Sequence, residues 1–294
     1  MWQGAKVIRF ILTIKLIMES VKFNVASSLK KSFCVIMVFM ASLVAFGQQP
    51  FEGKIVYTLN TTSRGLYKMF SDIQGTSEEV VYITNDKFIL FNVATQNINF
   101  IDLEANAWYI ACPAIQMMQK GTISDLIETA EKNLNKGGQL RKLRQFNTIV
   151  EPDGLVDGYH AIKYSIDTSY TPEGASYIVT SFIEDVCLKD FLSPELLKPY
   201  MYLYGMPYYE HTSEIKQECP APLLKSVRYQ TRVVKSMERM TPDASVFTVP
   251  SDMKVVSQRD FVKAYNKYMK GLNKKREKSG TSVEYTAPED IWDF

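Results

Sequence analysis

The sequence predicts an α+β protein framed by one antiparallel sheet, and three observations carry that expectation. Apolar and polar residues alternate over 51–60. Four short strand-like runs follow between positions 79 and 111, with only two or three residues between them. Helical spacing replaces alternation at two main places, 123–134 and 261–272.

The first strand places Phe51, Gly53, Ile55, Tyr57 and Leu59 on one face. Glu52, Lys54, Thr58 and Asn60 fall on the other, with Val56 as the exception. Such a strand has a core side and a water side, as antiparallel sheets permit. The next runs are 79–84, 87–93, 97–103 and 107–111, divided by turns at Asn85-Asp86, 94–96 and 104–106. Strands this close, with no helix between them, must pair as antiparallel hairpins.

Ile123, Leu126, Ile127, Ala130 and Leu134 then repeat at helical spacing, with Thr122 as cap, Asp125 three residues on, and Gly137-Gly138 as the stop. Strands resume at 140–150, 159–167 and 175–184, the first two separated by the turn-rich stretch 151–158. A short helical piece, 193–198, leads into the aromatic run from Pro199 to Tyr209. Two more strands fit near 208–216 and 224–237, and Phe247-Thr-Val-Pro250 closes the core. Phe261, Tyr265, Tyr268 and Leu272 mark a last helix flanked by Lys263, Lys267, Lys270, Lys274, Lys275 and Arg276.

Ahead of the sheet lies a charge-free apolar run, Phe33–Phe46 (FCVIMVFMASLVAF), preceded by Lys30 and Lys31 and closed by Ala45-Phe46-Gly47. This is the order of a secretory signal. As a helix it reaches about 21 Å, short of the roughly 30 Å of a bilayer core. Cleavage after Gly47 is therefore expected, with no membrane-spanning segment left, and Met18 offers an alternative start within the long N-terminal extension. The expected division is 1–47, extension and cleaved signal; 48–257, sheet domain; 258–294, basic helix and tail. The destination is the periplasm, the outer-membrane surface or the extracellular space.

Removing 1–47 takes six of the 34 Lys/Arg and one of the 32 Asp/Glu, leaving 28 and 31 and a net charge near −3. That balance gives no reason to expect nucleic acid, whose binding needs a concentrated basic face. Three cysteines stay behind: Cys112, Cys187 and Cys219. Cys187 and Cys219 bracket one aromatic-rich excursion and are the expected disulfide in an oxidising compartment. Three buried thiols are the alternative.

No catalytic constellation stands out. Asp157, His160 and Ser165 lie close in sequence, but no nucleophile elbow accompanies them, and His160 reads as one member of a cross-strand pair. His211 with Cys187 and Cys219 lacks the short spacings of structural zinc sites. The adjacent acids Glu78-Glu79, Glu184-Asp185 and Glu289-Asp290 point to opposite faces when extended. Neither cofactor nor metal is expected. The best candidate surface is the aromatic segment holding Tyr200, Tyr202, Tyr204, Met206, Tyr208 and Tyr209. Tyrosine joins a large apolar body to a polar tip, and methionine fits irregular apolar shapes. An ordinary core strand and turn is the plainer reading of those rings.

Four short motifs resemble one family in order. Phe51-Glu-Gly-Lys-Ile-Val-Tyr57 opens like secreted bacterial proteins of domain-of-unknown-function family 4412. Val156-Asp-Gly-Tyr-His-Ala-Ile-Lys-Tyr164 is similar to its central Gly-Tyr-x-x-x-Lys-Tyr segment. Gly205-Met-Pro207 resembles its Gly-x-Pro before a strand, and Val246-Phe-Thr-Val-Pro250 its closing Phe-x-x-Pro. The likeness spans about residues 51–255. Ala161 stands where members often carry cysteine, and the Lys-rich helix after Val255 lies outside the shared pattern. The resemblance implies a LolA-like fold: a strongly curved antiparallel sheet forming an incomplete barrel, with one or two packed helices. It also implies a carrier like LolA and LolB, binding a lipid, an acyl chain or an envelope lipoprotein. The residues by themselves support an exported, non-catalytic binding module. An envelope protein–protein interaction module with a filled interior is the second reading, and an uncharacterised enzyme the third.

Overall fold

Twelve strands in one sheet, mostly antiparallel, and three α-helices make up the described part of the chain, a computed structural model that describes residues 49–65, 74–135, 148–170, 179–219 and 225–279. The expected signal, the Gly137-Gly138 stop and the C-terminal tail beyond 279 lie outside these residues. Residues from Pro50 onward form one compact unit.

The alternating run becomes β1 (Gly53–Arg64), in which every odd-numbered residue is buried. It sits mid-sheet. On one side follow β2 (Gly75–Ile83), β3 (Lys87–Asn92), β4 (Asn97–Asp102), β5 (Ala107–Cys112) and β6 (Met117–Thr122), each antiparallel to its neighbour. A second meander comprises β7 (Thr148–Val156), β8 (Tyr159–Tyr170), β9 (Val179–Leu188), β10 (Tyr209–Cys219) and β11 (Ser226–Arg239). β11 then pairs with β1, joining the last long strand to the first. The short β12 (Lys254–Val255) pairs parallel to β6 and forms one edge; β7 forms the other.

The sheet is open, neither closed nor strongly curled, where the resemblance implied an incomplete barrel. Bending a sheet that far takes repeated bulges and a fixed stagger. Among the described residues the ladders shift register at three places, Val56/Tyr57, Glu210/Thr212 and Pro152/Leu155.

Three helices accompany the sheet: α1 (Ile123–Asn135), α2 (Pro194–Tyr204) and α3 (Gln258–Ser279). In α1, Thr122 Oγ1 accepts from the Asp125 N–H at 3.0 Å, the expected cap. The piece expected at 193–198 is longer: α2 runs through Pro199 to Tyr204. The Ser193 hydroxyl caps its start, accepting from the Leu196 N–H. Gly205 ends it at φ 74°, where its N–H reaches the Met201 carbonyl. Burial of Leu196, Pro199 and Tyr200 on one stripe offsets the hydrogen bond that Pro199 cannot make.

Two other elements depart from expectation. The turn-rich stretch 151–158 is largely strand, because Pro152 lies on an edge strand where its missing N–H is harmless. The actual turn is Asp157-Gly158, both at positive φ, as a tight hairpin requires. β6 was not expected at all; its sequence, MMQKGT, lacks alternation. Gly121 fits there because the Trp108 ring covers it: a Cβ would come within 2.5 Å of that ring.

Both faces of the sheet are packed along β2–β4. On one, Ile55, Tyr57, Val81, Phe88, Tyr159, Phe191 and Tyr209 meet Leu196 and Tyr200 of α2. On the other, Val80, Ile89, Phe91, Ile98 and Phe100 meet Val246, Phe247 and Val249. That explains why Phe88-Ile-Leu-Phe91 reads as a continuous apolar run. Phe191 stacks on Phe51 and on Tyr209 at centroid distances of 4.9 and 4.5 Å, while the Phe51 N–H donates to the Phe191 carbonyl at 2.7 Å.

The expected Cys187–Cys219 bridge is corrected. Cys112, Cys187 and Cys219 are all buried, and no disulfide joins them. Cys187 pairs with Glu210 near the start of β10, whereas Cys219 is the last residue of that strand. Nine residues of strand put them about 30 Å apart, against roughly 4.4–6.8 Å between the Cα atoms of a disulfide.

Candidate functional site: a polar cavity beneath the second helix

Strand β11 is turned opposite to its own hydrophobic pattern. Val227, Tyr229 and Val233 face solvent at 39, 39 and 52 % exposure, while Arg228, Gln230 and Arg232 point toward the helix-covered face. Pairing carries this polar character sideways. Arg232 lies opposite Leu59 and Ser213, and Gln230 opposite Thr61 and Ile215. Across β2–β4 the same face presents Glu79, Asn92 and Asn97 in one row, and Leu90 and Asn99 in the next.

These residues line a cavity of about 390 Å³, together with Tyr200 and Tyr204 of α2 and Tyr265 of α3. That size suits a small ligand. Its wall mixes four carboxamides and two arginines with Leu59, Leu90, Ile215 and the phenol rings. Three polar atoms of the lining are buried without a hydrogen-bond partner: Tyr204 Oη, Asn97 Oδ1 and Arg228 Nε. Buried polar atoms are normally paired, so unpaired ones around a cavity are points where an occupant can bond.

The floor is a buried ion pair. Arg232 Nε donates to Glu79 Oε1 at 2.7 Å, and its Nη1 donates to the Glu210 carbonyl at 2.8 Å. Its guanidinium lies 3.5 Å from the centroid of the Tyr57 ring. Burial is the largest influence on Arg232 and works against its charge, but Glu79, Tyr57, Tyr209 and Glu210 together outweigh it and hold the guanidinium well above its ordinary range. Tyr57 and Tyr209 share a hydroxyl–hydroxyl hydrogen bond of 2.6 Å. Burial raises the phenols of Tyr57, Tyr200 and Tyr204 well above their usual value and pushes Tyr209 up to about 12. The rings are therefore neutral, and the guanidinium charged, at any physiological pH.

Of the six aromatic-segment candidates, Tyr200 and Tyr204 line the cavity. Their rings sit one helical turn apart with centroids at 4.6 Å. Tyr209 lies beneath them in the core, and Met206 is buried. Tyr202 is on the outer side of α2, 3.5 Å from Glu131 of α1, and Tyr208 packs under Lys189. Sequence reasoning missed Glu79, Arg228, Arg232 and the three asparagines, because alternation assigns Val227, Tyr229 and Val233 to the core.

Asp157 does not meet His160, which is exposed opposite Leu155. It meets His211, the extra residue of the β9–β10 bulge, at 3.1 Å from Nε2. His211 Nδ1 is buried without a partner. Burial holds this imidazole below its ordinary range, with Arg232 adding to the effect and Asp157 opposing it.

Fold and site together define an α+β protein with a ligand-sized, mixed-polarity cavity between an open sheet and a covering helix. No protein-family model matches the chain, and no curated protein matches it at a significant level. Among the described residues, no helix is long and apolar enough to cross a membrane.

Proposed function

We propose that this chain is an exported, non-catalytic binding protein of the cell envelope that holds a small amphiphilic ligand in the cavity beneath α2. The inverted strand β11 carries the reading. Turning three valine and tyrosine side chains to water while burying Arg232 and half-burying Arg228 and Gln230 costs stability. A site that needs those polar groups inside accounts for that cost. Leu59, Leu90, Ile215 and the tyrosine rings supply surface for an apolar portion; the amides and Arg228 supply it for a head group. The four motifs that resemble family 4412 suggest the same class. An open sheet roofed by α2 here takes the place of the half-barrel interior.

The test is titration with a dansylated fatty acid. The parent chain should bind it with an emission blue shift, and Asn99→Trp, which fills the cavity, should bind at least tenfold more weakly at an unchanged melting temperature. Equal binding by both, or none by the parent, would sink the proposal. The exposed Val227, Tyr229 and Val233 favour the second reading, a protein-docking module. Under it the probe fails to bind and Val233→Lys removes a partner captured from the native envelope.

A further inference from the structure

Helix α3 has a sharply divided surface. At about 100° per residue, Arg259, Lys263, Lys267, Lys270 and Lys274 fall within an arc of about 80°, and all five are exposed. They form a straight stripe about 23 Å long. Phe261 and Met269, which are buried, lie on the other side, and Tyr265, also on that side, lines the cavity. The helix as a whole carries eight Lys/Arg against Asp260 and Glu277, in a chain that is otherwise acidic after position 47.

No described residue neutralises the stripe. None of its five cations makes an ion pair among the described residues. Asp260 is used in the N-terminal cap, where Ser257 Oγ donates to its carboxylate at 2.7 Å and accepts from its N–H at 3.2 Å. Five like charges at one-turn spacing repel one another, so the arrangement is better explained by an external counter-charge than by helix stability.

We infer that the outer face of α3 docks on an anionic lipid surface through phospholipid headgroup phosphates. Charge complementarity names the class of surface, and the export signal expected at Phe33–Phe46 makes a bilayer the anionic surface met after secretion. The inference is independent of what the cavity holds. Because Tyr265 reaches the cavity from the opposite side of the same helix, docking would bring the cavity close to that surface.

The experiment uses the chain from Gln48, which contains the whole compact unit, with vesicles of phosphatidylcholine alone or with about 30 % phosphatidylglycerol, at about 50 and 500 mM salt. Sedimentation should show binding to the anionic vesicles only, lost at high salt. Lys263→Gln/Lys267→Gln/Lys270→Gln should lower partitioning about a hundredfold, or roughly fivefold per cation. Glutamine keeps helix propensity, and an unchanged melting temperature confirms the fold. A charge-matched control, Lys132→Gln/Lys198→Gln/Lys216→Gln, should bind like the parent. The inference is overturned if the parent ignores anionic vesicles at low salt, or if the control loses as much as the stripe variant. It is also overturned if duplex DNA at equal phosphate strips the protein from the vesicles, which would mark a nucleic-acid face.

Discussion

Breaking the Glu79–Arg232 pair one member at a time should be far more damaging than removing both. The two residues are 7 and 8 % exposed and in direct contact. Glu79→Gln keeps the shape but leaves a buried guanidinium without a counter-charge beside it, held by the Glu210 and His211 carbonyls and the Tyr57 ring; Arg232→Met strands a buried carboxylate. Each single change should cost about 3–5 kcal/mol, whereas Glu79→Leu/Arg232→Met should cost less than about 2 kcal/mol. For a chain of this size the single variants should melt about 6–20 °C lower. Urea unfolding followed by tryptophan fluorescence, with calorimetry, closes the double-mutant cycle. The double variant should fold yet bind the fatty-acid probe poorly, since the cavity floor has lost its charge. Additive single costs, with the double variant the least stable of the three, would refute the reasoning.

Three further outcomes follow from the same geometry. Tyr204→Phe removes a buried hydroxyl without a partner, so the ligand-free protein should gain about 1 kcal/mol or more in urea melts while probe binding weakens. His211 is held below its ordinary value, so between about pH 6.5 and that depressed value the unfolded chain binds the extra proton and the folded one does not. Stability should therefore be complete above about pH 6.5 and fall on acidification, by up to about 1.4 kcal/mol per pH unit; urea midpoints of His211→Gln should lose that slope. In the chain from Gln48, Cys112, Cys187 and Cys219 should be silent to a thiol reagent when folded and give three equivalents when unfolded. Cys112, pushed up to about 11 by burial, should be unreactive below strongly alkaline pH, and a mapped Cys187–Cys219 bond would refute the strand register.

Much of the framework was legible because its signals are local. The alternation of β1, the tight turns of the first meander and the Thr122 cap each depend on residues within a few positions of one another. Three features had no such signal. β6 became a strand through pairing with β5 and the Trp108 ring over Gly121, a tertiary effect. α2 continued through Pro199 because buried Leu196 and Tyr200 hold it against Phe88 and Tyr209. β11 carried a misleading signal: its pattern has a strand's period but the opposite sense, and the charge balancing Arg232 is on β2, 153 residues away. The cysteine pairing failed for a related reason. Bracketing a segment in sequence does not bring its ends together when the segment ends in a long strand running away from its start.

Native mass spectrometry of the protein purified without detergent from its native cells shows whether the cavity holds a ligand. A non-covalent adduct of a few hundred daltons is expected, sized to the cavity, released by organic solvent and absent from Asn99→Trp. A bare polypeptide mass in the parent, or an adduct that survives equally in Asn99→Trp, would contradict that expectation.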